Sequence, residues 1–121
     1  MAKLTKEARK IIAEFGPALI ATASKEGKPN VSAKGSFRVL DDEHVVFADI
    51  TSPRTIANLR ENPQLSAIVF DPTTRKGCRI WGRAEIVDNG PLFDSMSKEY
   101  AAKKMKVNHL IKVTVEEVTT F

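Results

Sequence analysis

The sequence predicts an α+β domain, mainly β, in which an antiparallel barrel or strongly curled sheet carries short flanking helices. Three observations predict it. Asn30 to Leu40 and Cys78 to Val87 alternate apolar and polar residues with the period of a strand. Short apolar runs, Ala18–Ala23, His44–Ala48 and Leu65–Phe70, lie between clusters of turn residues. Three segments of helical period fall among them, which brings the count to about six strands and three helices.

Composition fits that class. The chain has 121 residues, 42% hydrophobic and 28% charged, so residues 1–121 are expected to form a single domain around one core. No apolar run approaches the roughly 18 residues needed to span a bilayer. Met1–Lys6 is too polar for a signal peptide, and a cytoplasmic location is the simplest expectation. Cys78 is the single cysteine, which excludes an internal disulfide and a multi-cysteine zinc site. A net charge of +4 and a pI near 9.3 permit nucleic-acid binding and equally suit an anionic cofactor.

Thr5 to Glu14 reads as an amphipathic helix, with Leu4, Ala8, Ile11, Ile12 and Phe15 near one stripe. Gly16-Pro17 stops it, and Gly16 is available for a left-handed C-cap. Ala18–Ala23 is a strand, followed by the turn Ser24–Pro29. In Asn30–Leu40, Val31, Ala33, Gly35, Phe37 and Val39 share one face, and Ser32, Lys34, Ser36 and Arg38 the other. Asp41-Asp42-Glu43 turns the chain into His44–Ala48, antiparallel to the strand before it. That hairpin is expected to bring the chain back beside the strand bearing Lys34. The polar face then meets either solvent or a ligand.

The next stretch, Asp49–Pro63, organises the rest. Ser52 suits an N-cap and Pro53 the first helical position, where its missing N–H is not needed. Ile56 and Leu59 are spaced to pack on one face. Asn62-Pro63 ends the helix. The helix starts at a strand end, with N–H groups pointing outward, and Thr51, Ser52, Thr55 and Arg54 add hydroxyls and a fixed positive charge. That combination suits a phosphate or another small anion, or is an ordinary capped helix with a solvated arginine.

Leu65–Phe70 is a further strand, and Asp71–Gly77 a loop rich in breakers and basic residues. In Cys78–Val87, Cys78, Ile80, Gly82, Ala84 and Ile86 face one side; Arg79, Trp81, Arg83, Glu85 and Val87 face the other. Trp81 among arginines either covers the barrel exterior or centres a subunit interface. Pro91 opens a helix whose Leu92, Met96 and Tyr100 form an apolar stripe, with Lys98, Lys103, Lys104 and Lys106 at its basic end. His109–Val118 alternates again as the last strand. A barrel this small is filled by its own side chains, so a bulky ligand lies in an outer groove or at a subunit interface.

No nucleophile elbow, P-loop or dinucleotide fingerprint is present, and His44 and His109 lack the spacing of a metal pair. No metal site is expected. His44 is read as a surface residue after a hairpin turn, and His109 as the opening of a strand. Any redox chemistry is therefore carried by a cofactor.

In order and spacing, several segments resemble the flavin-binding split-barrel family, the group related to pyridoxamine 5′-phosphate oxidase, and in particular its small FMN-binding proteins. These are Ala18-Leu19-Ile20-Ala21-Thr22, the Asp-turn hairpin, Thr51–Leu59 with Asn62-Pro63, Arg79-Ile80-Trp81-Gly82-Arg83-Ala84-Glu85, and the final Val-x-Val strand. The resemblance implies an antiparallel split β-barrel and a homodimer with two FMN sites at its interface. It implies that Ser52, Arg54 and Thr55 hold the phosphate, with Ser32 and Lys34 opposite. It implies that the backbone of Ala48, Asp49 and Ile50, leading into Thr51, meets the edge of the flavin ring, and that the segment from Lys103 to His109 reaches the partner's flavin. Asp49 departs from the small or apolar residues usual there, and a carboxylate beside a flavin disfavours its anionic reduced form. The vitamin B6 oxidase itself is longer and has a substrate-binding C-terminal segment with no counterpart after Phe121, so pyridoxamine phosphate is not expected as substrate.

The resulting expectation is an FMN-binding protein, either a flavin-dependent oxidoreductase or a flavin or electron carrier. The rivals are the same fold using a deazaflavin or haem, and a small basic barrel binding nucleic acid. The last is disfavoured by the scarcity of aromatics for base stacking: one Trp, one Tyr, and six Phe mostly at core-like positions.

Overall fold

The computed structural model describes residues 2–121. Three helices and seven strands follow in the order α1 (Lys6–Glu14), β1 (Ala18–Ala23), β2 (Pro29–Lys34), β3 (Arg38–Asp41), β4 (His44–Asp49), α2 (Pro53–Glu61), β5 (Gln64–Phe70), β6 (Gly77–Val87), α3 (Pro91–Ala101) and β7 (His109–Thr120). All pairings are antiparallel, in one sheet of order β2-β1-β5-β6-β7-β4-β3.

The sheet must curl. β2 and β3 lie at its opposite edges, yet only Gly35–Phe37 separates them in sequence. Seven flat strands would hold the outer pair about 29 Å apart at the usual spacing. The connection spans at most about 14 Å. Curling brings the two edges together and leaves a split between them, the α+β split barrel. The stretch expected to be one strand, Asn30–Leu40, is therefore two, and β4 pairs with β3 and β7, not with the strand bearing Lys34. Lys34 approaches the end of β4 across the split.

The interior is closed by apolar side chains. Ile20, Val45, Phe47, Val69, Ile80, Ile111, Val113 and Val115 are inaccessible or nearly so, and Ile56 and Leu59 of α2 join them. Helix α1 plugs one end. Its N-cap Thr5 accepts from the Ala8 N–H at 3.1 Å, and Leu4 N–H donates to Asp42 O at 2.7 Å. The helix ends on Phe15 in an extended conformation, its N–H bonded to Ile11 O at 2.9 Å, so Gly16 is not needed as a left-handed cap. Helix α3 packs outside the barrel, where Met96 and Tyr100 meet Val46, Ala48, Val107 and Leu110. β4 is thus covered on both faces.

Where β2 joins the sheet, the faces separate in an informative way. Val31 is 67% exposed, whereas Lys34 is buried. The apolar side chains of β2 point away from the molecule. The register sets Ala33, Leu19, Ile68 and Arg79 in one row across β2, β1, β5 and β6, and Val31, Ala21, Ser66 and Trp81 in the next. The guanidinium of Arg79 stands 5.8 Å from the Trp81 ring and 5.7 Å from that of Phe121.

Candidate functional site

Helix α2 begins at the split, and the polar side of β2 faces it. Ser32 and Thr55 share a hydrogen bond of 2.8 Å, with Thr55 only 1% exposed. Lys34 Nζ donates to Ser52 Oγ. Ser52 therefore does not cap the helix through its side chain, as its sequence position suggests; no side chain caps the start of α2. Instead, Asp49 Oδ1 accepts from the Ser52 N–H at 2.8 Å. The first turn of α2 keeps unpaired N–H groups and the positive end of its dipole.

Burial pushes the Lys34 ammonium below its ordinary range, partly opposed by the negative charge of Asp49. An ammonium desolvated in this way gains from any further anion placed beside it.

Asp49 is 4% exposed. Its second oxygen, Oδ2, lies 2.7 Å from His109 Nδ1, closing the β4–β7 ladder where Asp49 and His109 are paired. Asn108 holds the same corner, its N–H donating to Asp49 O at 2.9 Å and its side-chain amide to Ile50 O at 2.8 Å. Lys34, Ser52, Asp49 and His109 thus form one chain of polar contacts from β2 to β7.

Two grooves meet at Ile50 and Thr51. One, of about 820 Å³, is lined by Asp49–Pro53, Ile56, Arg60, Asn108 and His109 among others. The other, of about 460 Å³, is lined by Lys34, Ser36, Ala48, Tyr100, Lys103 and Met105 with neighbouring backbone. Of the residues picked out in the sequence, Ser32, Lys34, Ser52 and Thr55 are joined directly, and Ala48, Asp49, Ile50 and Thr51 form the wall between the grooves. Arg54 is exposed, on the first turn of α2, and lines neither groove. Overlooked in the sequence are the buried hydroxyl of Ser36, which accepts from the Ala48 N–H at 2.8 Å, and the contacts of Asn108 and His109, at the end of the segment expected to reach a partner's flavin, with Ile50 and Asp49 of their own chain. The pairing of His109 with Asp49 was available only through the register of β7 on β4. Among the described residues no cluster of side chains suits a metal ion, and no helix is long and apolar enough to cross a membrane.

A curled antiparallel barrel, with a side-chain-uncapped helix start and a buried lysine beside open grooves, defines a small barrel suited to an anionic ligand. The chain belongs to the pyridoxamine 5′-phosphate oxidase family, whose family model matches residues 4–121. An uncharacterized protein of Methanocaldococcus jannaschii is 44% identical over 66 residues, covering 53% of this chain and 44% of that relative. The matched stretch thus spans less than half of that relative's length. Among solved structures, HupZ of Group A Streptococcus superposes with a TM-score of 0.89 at 24% identity, covering 98% of this chain and 94% of that one. An FMN-binding protein of Syntrophomonas wolfei superposes with a TM-score of 0.84 at 17% identity, covering 95% and 84%. The same fold occurs in an F420 reductase (TM-score 0.73, 21% identity, covering 96% and 98%) and in HutZ, the heme storage protein of Vibrio cholerae (0.69, 22%, covering 98% and 94%). At these identities the likeness is one of fold.

Proposed function

We propose that this chain binds FMN at the start of α2 and acts through it, as a flavin-dependent oxidoreductase or a flavin or electron carrier, in a cytoplasmic homodimer. One observation carries the reading: a buried lysine, Lys34, reaches the side-chain-uncapped start of α2 beside two open grooves. A flavin phosphate matches that donor set. Lys34, the Ser52 and Thr51 hydroxyls and the first N–H groups of α2 would hold it, with Arg54 supplying charge from the first turn. Ser32 and Thr55 would keep the helix start against β2. Ala48, Asp49 and Ile50 form the wall on which the ring would rest. When bound, the flavin supplies electron and hydride transfer; the chain's residues bind and orient it and exclude water.

The dimer is supported by the outward apolar rows of β2, β1, β5 and β6, in which Leu19 is 38% and Val31 67% exposed. It is supported also by the openness of the grooves, since ligand sites usually bury most of their ligand and a second copy would provide the missing wall.

The names of two fold neighbours favour a second reading, a deazaflavin or haem in place of FMN. The visible spectrum of the purified protein, followed by titration of the colourless form with FMN, decides between them. Flavin absorption and saturable FMN binding are expected. A haem or deazaflavin spectrum replaces the cofactor, and a colourless protein that ignores all three and shifts DNA at moderate salt replaces the class with a nucleic-acid-binding barrel.

A further inference from the structure

The pair Asp49 and His109 has no part in holding a phosphate, yet both residues line the larger groove. Asp49 is a buried carboxylate whose two oxygens are both engaged, one by the Ser52 N–H and one by His109 Nδ1. An ionised carboxylate only accepts hydrogen bonds, so Nδ1 is the nitrogen that donates to Asp49 and Nε2 is the one left outside that contact. The His109 side chain is 25% exposed and so has access to water, while that of Asp49 is 6% exposed.

We propose that His109, held by Asp49, is the redox-linked proton acceptor of this groove: it takes up one proton when a flavin bound there is reduced and returns it on reoxidation. This rests on the flavin reading above. The charge balance runs through named groups. Two electrons arriving with one proton add one net negative charge to the flavin. Beside the buried carboxylate of Asp49 that charge is unfavourable. A second proton, taken from water by His109 Nε2, makes the imidazolium and restores neutrality; on reoxidation it leaves by the same route.

Among the described residues that line this groove or act on Asp49, no other charged group suits this exchange. Arg60, on α2, carries a fixed charge and does not release its proton. Lys34, on β2, is tied to Ser52. Imidazole is the side chain whose ordinary titration lies near neutral pH.

The test uses FMN-loaded protein, wild type and His109→Gln, with the midpoint potential of the flavin measured against pH in the neutral range. Two protons per two electrons give twice the slope of one proton per two electrons. The slope should therefore fall about twofold in His109→Gln, with FMN affinity retained. Nitrogen-resolved NMR of the wild type supplies a reading that needs no variant. His109 should be the neutral Nδ1–H tautomer with oxidised flavin and doubly protonated with reduced flavin. Equal slopes in the two proteins, or one protonation state of His109 in both redox states, overturns the proposal alone. A wild type that takes up no FMN overturns the flavin reading, and this inference with it.

Discussion

Ser32 on β2 and Thr55 on α2, 23 residues apart in sequence, share a hydrogen bond of 2.8 Å at the split of the barrel. β2 is an edge strand, paired only with β1. Its other side would be a row of open backbone groups without cover. The hydroxyl pair and the Lys34–Ser52 contact join the start of α2 to that strand. The first turn of α2, whose N–H groups stay unpaired, is thus tied by side chains to the edge strand.

Replacing Thr55 by Val keeps the buried shape and removes the hydroxyl partner of Ser32. A partly buried hydroxyl left unpaired destabilises by about 1–2 kcal/mol. Ser32→Ala combined with Thr55→Val should recover part of that loss, because neither polar group then remains to be satisfied. Urea unfolding of the two single variants and the double variant measures the coupling. Strict additivity would show that the two hydroxyls act independently.

Lys34→Met should have opposite effects on the empty and the loaded protein. Burial lowers the ammonium pKa from its ordinary value of 10.5. Between the folded and the unfolded pKa the unfolded chain binds more protons, so this group makes stability rise with pH through that window, up to about 10.5, and flatten above it. Lys34→Met should abolish that rise in flavin-free protein. The same substitution should weaken FMN binding by about 1.5–3 kcal/mol, the scale of a hydrogen bond between charged groups, and leave riboflavin nearly unaffected. Arg54→Ala, at an exposed site, should weaken FMN less than Lys34→Met does. An equal loss for FMN and riboflavin would move the phosphate elsewhere.

Gly82 lies opposite the bulge in β7, where Glu116 is skipped as the register passes from Trp81–Glu117 to Gly82–Val115. A Cβ on Gly82 would lie 2.5 Å from Val113 Cγ1 and 2.6 Å from the Thr114 carbonyl oxygen. A backbone oxygen in a paired strand cannot rotate aside. Gly82→Ala should therefore destabilise by at least about 2 kcal/mol. Gly35→Ala, whose Cβ meets nothing within 4 Å, should change stability little and serves as the control. Chemical denaturation midpoints decide; a Gly82→Ala protein as stable as the control would mean that the β6–β7 ladder gives way more easily than its packing suggests.

What was legible in the sequence follows periodicity and punctuation. The ends of α2 were readable because Pro53 and Asn62-Pro63 act locally. The faces of β6 were readable because one side is core, from Cys78 to Ile86. The break at Gly35–Phe37 was not, since alternation continues through it while the chain changes from one sheet edge to the other. The same alternation concealed that on β2 the apolar side faces outward. Side-chain capping by Ser52 failed as an expectation because Lys34, distant in sequence, takes that hydroxyl. The contact of His109 with Asp49 joins residues 60 apart and depends on a register that no local pattern encodes.

The last prediction concerns the apolar rows of β2, β1, β5 and β6. Val31 and Leu19 are exposed, and Trp81 lies in the same row as Val31, Ala21 and Ser66. Small residues at Ala21 and Ala33 make this face flat enough for a second sheet face to approach. Arg79, stacked near Trp81, keeps a charge at its border. Tryptophan and arginine together are common at the centres of interfaces. The wild type should therefore sediment as a dimer, and Trp81→Glu, which adds a carboxylate to the middle of the row, should sediment as a folded monomer. The half-buried position of Trp81 on the outer side of β6 lets the substitution leave the barrel core intact. Flavin content measured on the same samples separates two roles of the dimer. Loss of FMN with dissociation would mean that the partner completes the site. A yellow monomer would mean that one subunit holds FMN by itself, and a monomeric wild type with tightly bound FMN would defeat the shared site altogether. A Trp81→Glu protein that remains dimeric and yellow would keep the dimer but move its centre away from Trp81.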